Sequence, residues 1–226
     1  MKAHHYTTQQ QGLGKVGLLA VIAVLALAGA ALVCGPGLLG AMRFMESVDQ
    51  IGASQSQANA GELLSRNCGN CHGARGNGDS QFYPRLAGQP VDYLRNQLLA
   101  FQAGNRTNPA MNTLALSMSA QQIDDVARYF ASQAATANAS FKADPELVVQ
   151  GERKAREANC AACHGGDYEG QAPYPRLAGQ GYTYLANQLR NFRDGQRRDI
   201  DGVMAALAAS LSDQDIEQLS QYLVTR

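Results

Sequence analysis

The longest apolar run lies near the start of the chain. From Val16 to Val33 (VGLLAVIAVLALAGAALV) there are 18 residues without a charge. As a helix they cover roughly 27 Å, close to the hydrocarbon thickness of a bilayer. Apolar character resumes after Gly35-Pro36-Gly37 and runs to Met42. Two readings fit residues 1–42. One is a secretory signal with Ala28-Gly29-Ala30-Ala31 as its small-residue cleavage site; the other is a retained transmembrane anchor. Length favours the anchor, because the apolar part of a signal usually has about 7–15 residues. Lys2 and Lys15 precede the run, whereas Glu46 and Asp49 soon follow Arg43. That asymmetry places the N-terminus inside and the remainder exported. Cys34 reads as a small apolar residue of the anchor, since Val33 stands where a lipidated Cys needs a small neighbour. Residues 43–60 (RFMESVDQIGASQSQANA) lack a sustained apolar face and read as a flexible tether.

Beyond residue 60 the apolar positions recur at helical spacing. Leu94, Leu98 and Phe101 mark one helix face, with Gln97 beside them; Ile123, Val126, Ala127 and Phe130 mark another. Ser119 with Gln122 predicts a capping box, and Ser212 with Asp215 predicts its counterpart. Asp144-Pro145-Glu146 is a helix start: cap residue, Pro in the first position, early acid. No segment alternates apolar and polar residues with β-branched enrichment, so the fold is expected to be all-α.

These elements occur twice. Cys68-Gly69-Asn70-Cys71-His72 returns as Cys160-Ala161-Ala162-Cys163-His164, offset by 92. Tyr83 to Gln89 (YPRLAGQ) returns as Tyr174 to Gln180, and Tyr93-Leu94-x-Asn96-Gln97-Leu98 returns at Tyr184, both offset by 91. From Ala115/Ala208 to Tyr129/Tyr222 the offset is 93, so small insertions sit in loops while the elements persist. The expected organisation is one domain over 61–137, a linker over 138–145 and a second copy over 146–226.

Composition narrows the function. The chain of 226 residues has 19 basic and 19 acidic side chains and no basic stripe, which sets nucleic acid aside. An apolar content of 45% excludes a chain disordered throughout. Two small domains leave no room for a large enzyme core. By segment, residues 61–142 carry seven basic and five acidic groups, net +2, and residues 143–226 carry nine and twelve, net −3. The two copies therefore differ in sign. They either steer different partners or merely solvate exposed helix faces.

C-x-x-C-H is the attachment pattern for c-type haem. Two intervening residues let one helical turn present both sulfurs to a porphyrin edge, with the next His placed to ligate the iron. A zinc ribbon brings its Cys pairs about 15–20 residues apart, not 92, and a thioredoxin-like pair needs a β-α-β context. Neither explains a His after each pair. The other histidines, His4 and His5, precede the apolar run, so the sixth iron ligand is not a second His. The second copy has one Met, Met204, and in register it falls on Met111, whereas Met118 falls on Leu211. His72 with Met111 and His164 with Met204 are therefore the expected iron ligands, and Met118 is expected in the core. A thioether ligand raises the reduction potential. No acid–base cluster accompanies the motifs, so a carrier is expected rather than an enzyme, with no small-molecule substrate.

The tandem C-x-x-C-H domains, each with Y-P-R-L-A-G-Q, then Asn-Gln-Leu…Phe…Gly…Arg and then Met, resemble the dihaem cytochrome c4 family over nearly all of Gly61 to Arg226. The resemblance implies two tandem class I cytochrome c domains related by a pseudo-twofold axis, here preceded by a transmembrane helix. It implies two covalent haem c groups on Cys68, Cys71, Cys160 and Cys163. It also implies that the carbonyls of Pro84 and Pro175 accept hydrogen bonds from the rings of His72 and His164. Arg85 and Arg176 stand in the matched motif, either as partners of haem propionates or as solvated surface charges. Tyr83, Tyr93, Tyr174 and Tyr184 are expected in core or haem-pocket packing rather than as redox participants. The implied role is a one-electron carrier of a periplasmic respiratory chain, held at a bacterial inner membrane. Its partners would be lipid, a quinol:cytochrome c reductase and a haem-copper terminal oxidase. The alternative is the cytochrome subunit of a larger dehydrogenase, such as a sulfide-oxidising flavocytochrome.

Overall fold

The computed structural model describes residues 39–40, 42–49, 60–199 and 201–226. The run 16–33, Cys34, both early histidines and residues 51–59 lie outside the described residues, and with them the signal, anchor and lipidation readings. Among the described residues no helix is long and apolar enough to cross a membrane. Residues 42–49 form a short helix with every side chain exposed, in a unit of its own. That corrects the coil expected there. The segment has no Gly or Pro and several good helix formers, and a missing apolar face weakens packing, not helix propensity.

From residue 60 to the end the chain is one compact unit of helices, whose single strand-like feature among the described residues is a bridge between Gln171 and Tyr174. In the first copy α1 covers residues 60–72, α2 Val91–Gln102, α3 Pro109–Leu116 and α4 Ala120–Ala131. In the second, α5 is Pro145–Glu157, α6 Ala161–His164, α7 Tyr182–Arg193, α8 Val203–Ala208 and α9 Asp213–Val224. The first copy runs unbroken through its Cys motif, whereas Asn159, at φ 52°, separates α5 from α6. Asn tolerates that left-handed conformation at little cost. Both expected capping boxes form, and Asp144 caps α5 with Pro145 in its first turn.

Each copy is held by a crossing of its first and last helices at a glycine. A Cβ on Gly61 would lie 2.6 Å from the Asp125 carbonyl of α4, and one on Gly151 would strike the Gln218 carbonyl of α9. Around these crossings Leu94, Val126, Ala127 and Phe130 form one core, and Leu185, Leu219, Tyr222 and Leu223 form the core of the other copy with Ala155 and Tyr168. Met118 packs against the first core, as expected. The Y-P-R-L-A-G-Q loop is anchored identically in both copies: Gly88 N–H donates to Phe130 C=O and Gly179 N–H to Leu223 C=O, each at 3.0 Å.

The two copies join through exchanged contacts. Arg85 N–H donates to Gln180 Oε1 (2.6 Å) and Gln180 Nε2 to Arg85 C=O (2.9 Å). Arg176 N–H donates to Gln89 Oε1 (2.9 Å) and Gln89 Nε2 to Arg176 C=O (2.8 Å). The linker is fixed rather than free: Gln81 Nε2 donates to Asn138 Oδ1 and Ser140 Oγ, and its own carbonyl accepts from Tyr184 N–H.

Candidate functional site

Cys68, Cys71 and His72 occupy the end of α1, while Cys160 caps α6, which holds Cys163 and His164. None of the four thiols is in a disulfide. Burial pushes the Cys68 and Cys160 thiols up, against the pull of nearby backbone N–H groups. Each His is followed by a glycine in the left-handed region, Gly73 at φ 78° and Gly165 at φ 88°. A Cβ there would strike the Gly78 backbone or the Glu169 carboxylate. Only glycine lets the chain turn so sharply and return its Pro-Arg-Leu segment over the ring.

That return places a carbonyl on each imidazole. His72 Nδ1 lies 2.7 Å from Pro84 O, and His164 Nδ1 lies 2.8 Å from Pro175 O. A carbonyl only accepts, so Nδ1 carries the proton and Nε2 is left with a free lone pair. The rings are 8% and 5% exposed, and this burial lowers both pKa values despite the carbonyls. Both imidazoles are thereby held neutral, the state that ligates a metal. Tyr83 and Tyr174 stand edge-on to these rings, with centroids 6.2 and 6.3 Å away.

A cavity of about 1550 Å³ reaches all four cysteines, both histidines, Met111, Met118 and Met204. Pockets for one ligand usually hold about 300–1,000 Å³, so this space suits two. Met111 sits in the first turn of α3, its N–H capped by Asn108 Oδ1 at 3.0 Å. Met204 sits near the start of α8, its N–H donating to Asp199 Oδ2 at 2.8 Å. Among the described residues no group of three His, Cys, Asp or Glu side chains is placed to hold a metal ion.

The same cavity is lined by five arginines, Arg85, Arg106, Arg176, Arg197 and the exposed Arg198, and none makes an ion pair among the described residues. Arg85 is 4% exposed, which removes the surface-charge reading for it. It donates to Gly179 C=O, Asn77 and Thr136, yet its Nε is buried without a partner. Arg106 donates to Gln97, Tyr184 OH and Gln188; Arg197 donates to Gln188, Tyr93 OH and Gln97. Each lies over a ring of its own copy, Phe101 or Phe192, at 4.6 Å. Buried cations without anions are costly. Each haem carries two propionates, and the unpaired guanidiniums of this lining suit those carboxylates. The residues fit the group.

Tyr93 and Tyr184 line the same cavity and accept hydrogen bonds from these guanidiniums. Burial raises both phenols, and the guanidiniums oppose it, so the first proton of the pair leaves more readily than from an ordinary phenol. In the sequence Arg106 and Arg197 stand out only as the Arg that closes the repeated Asn-Gln-Leu…Phe…Gly…Arg motif, with no function attached to them. Their signal was available, because they repeat at the offset of 91 that relates the surrounding helices.

Comparison with known proteins agrees with this geometry. The family profile described as cytochrome c matches residues 57–134 and again 148–226. A cytochrome c4 from Pseudomonas aeruginosa is 40% identical over 178 residues, covering 74% of this chain and 87% of that protein. A thiosulfate dehydrogenase electron acceptor from Stutzerimonas stutzeri is 33% identical, covering 69% and 76%. The crystal structure of reduced recombinant cytochrome c4 from Pseudomonas stutzeri superimposes with a TM-score of 0.69 at 36% identity, covering 74% of this chain and 97% of that one.

Proposed function

The chain belongs to the cytochrome c family, among the dihaem cytochromes c4, and carries two covalently bound haem c groups; on that premise we propose that it is a one-electron carrier of a periplasmic respiratory chain. It takes electrons from a quinol:cytochrome c reductase and passes them to a haem-copper terminal oxidase, with residues 1–42 as a membrane anchor. The haems supply a one-electron iron couple, and the protein supplies everything that makes the couple usable. Cys68 and Cys71, and Cys160 and Cys163, fix the groups covalently. His72 and His164 would ligate through Nε2, their tautomer set by the Pro84 and Pro175 carbonyls. Met111 and Met204, which line the same cavity, would supply the second protein ligand of each iron, and a thioether ligand would raise its potential. Arg85, Arg176, Arg106 and Arg197 neutralise the propionates, while the exchanged contacts hold the copies in a pseudo-twofold arrangement.

The observation that carries this reading is the recurrence, in both pockets, of a buried neutral His tied to a proline carbonyl together with a Met lining the same cavity. An iron held by one His and one Met of this chain would exchange electrons and leave no position for a substrate. An optical redox titration of the protein purified from membranes, with carbon monoxide added to the reduced form, tests it. Two potentials typical of Met/His iron and no spectral change with carbon monoxide are expected. Carbon monoxide binding at one haem in two would return an enzyme to consideration.

A second reading is favoured by the thiosulfate dehydrogenase electron acceptors among the relatives, at 33% and 32% identity. In it the chain accepts electrons from a dehydrogenase as its cytochrome partner, and a partner in fixed stoichiometry on purification distinguishes the two.

A further inference from the structure

The two copies place the same residues around their pockets but surround them with different charge. In the first, the Met111 N–H is capped by the neutral amide of Asn108, and no ionisable side chain occurs from Thr107 to Gln122. In the second, carboxylates do the same work. Asp199 accepts from Met204 N–H at 2.8 Å and Ala205 N–H at 3.4 Å, and Asp201 accepts from Val203 N–H at 3.3 Å. Asp201 also accepts from the hydroxyl of Tyr174 at 3.3 Å, the ring that stands edge-on to His164. Asp199 and Asp201 thus touch the surroundings of both residues read as iron ligands in that copy. Neither is in an ion pair among the described residues, Arg198 included.

The shared fold makes this an internal comparison. Asn108 shows that a Met-bearing helix of this fold is capped without a charge, so the second copy's carboxylates are not a requirement of the architecture. Oxidised iron carries one more positive charge than reduced iron, so fixed negative charge nearby stabilises the oxidised form. We propose that Asp199 and Asp201 hold the reduction potential of the second-domain haem below the value a neutral cap would give, and so set how one electron divides between the two haems. They are positioning residues acting through Met204, Tyr174 and the local field. This rests on the ligand reading above.

The test is a redox titration of the full chain against two variants, D199N/D201N and N108D. Asn at these positions retains the cap, as Asn108 does. In D199N/D201N one midpoint potential rises and the other stays, and the share of a first electron held by the second domain grows about threefold to tenfold. In N108D the other midpoint falls. The thioether-to-iron charge-transfer band is unchanged in both. Equal movement of both midpoints, movement of neither, or a shift accompanied by loss of that band would overturn the proposal, the last because Asp199 would then only hold the helix. A wild-type protein without the band sinks the Met204 reading instead, and a single shifted midpoint in it still supports the carboxylates.

Discussion

Gln180 satisfies three backbone groups at once: its Oε1 accepts from Arg85 N–H and Gly181 N–H, and its Nε2 donates to Arg85 C=O. Gln89, its counterpart, serves two. Both side chains are 4% exposed, so no water replaces them when they are removed. A buried unpaired backbone group costs about 1–3 kcal/mol. Gln180→Leu is therefore expected to destabilise the protein by about 2–4 kcal/mol, and Gln89→Leu by less, measured by denaturant unfolding; equal losses would contradict this accounting. The Cys and His residues were legible in the sequence because their chemistry is local to five residues. Gln89 and Gln180 were visible only as a repeat. Their partners lie in the other copy, and periodicity within one copy carries no information about that. Arg85 was ambiguous for the same reason: what buries it is Gly179 and Thr136, far along the chain.

At the level of helices, the ends were legible and the crossings were not. Ser119, Ser212 and Asp144 announce their caps because a cap depends on neighbours three residues away. The contact of α5 with α9 at Gly151 depends on how close two helices must come. Gly151→Ala forces its methyl against the Gln218 carbonyl and is expected to cost about 1–3 kcal/mol. Gly166→Ala, whose Cβ meets nothing, serves as the neutral control in the same thermal melts. The same helix pair carries a pH signature. Lys154 Nζ lies 2.8 Å from Asp215 Oδ1, and this bond, with that of Ser212, holds Asp215 down at about 2 against the effect of burial. A carboxyl depressed in the folded state adds stability above its unfolded pKa, near ~3.9, and loses it as pH falls toward about 2. Asp215→Asn should lower stability at pH 6 and converge with wild type near pH 2. A constant gap across that range would show that the ion pair is not what Asp215 contributes.

Across the whole molecule the sequence gives a sign to each copy, +2 for residues 61–142 and −3 for residues 143–226, and the structure shows where that matters. Arg85 and Arg197 are buried in the cavity and Arg106 and Arg176 half-buried there, so they contribute little to the outer surface. The second copy keeps several of its acids outside: Asp167, Asp194 and Asp213 are all exposed, and so is Glu157. A cation approaching the molecule is thus drawn to the second copy, the first copy has no net outer charge once Arg85 and Arg106 are withdrawn, and the attraction fades over a Debye length of about 8 Å at physiological salt. If these fields steer encounters, small inorganic oxidants of opposite charge will select different haems. In stopped-flow oxidation of the fully reduced chain, a cationic complex should react fastest with the second-domain haem, and that phase should slow as salt rises. The phase from the first domain should respond weakly or in the opposite sense. Reversing Asp194 and Asp213 to Lys should remove the salt dependence of the fast phase without altering either potential, because neither residue lines the cavity. Equal salt slopes in both phases would mean that the acids solvate helix faces and steer nothing.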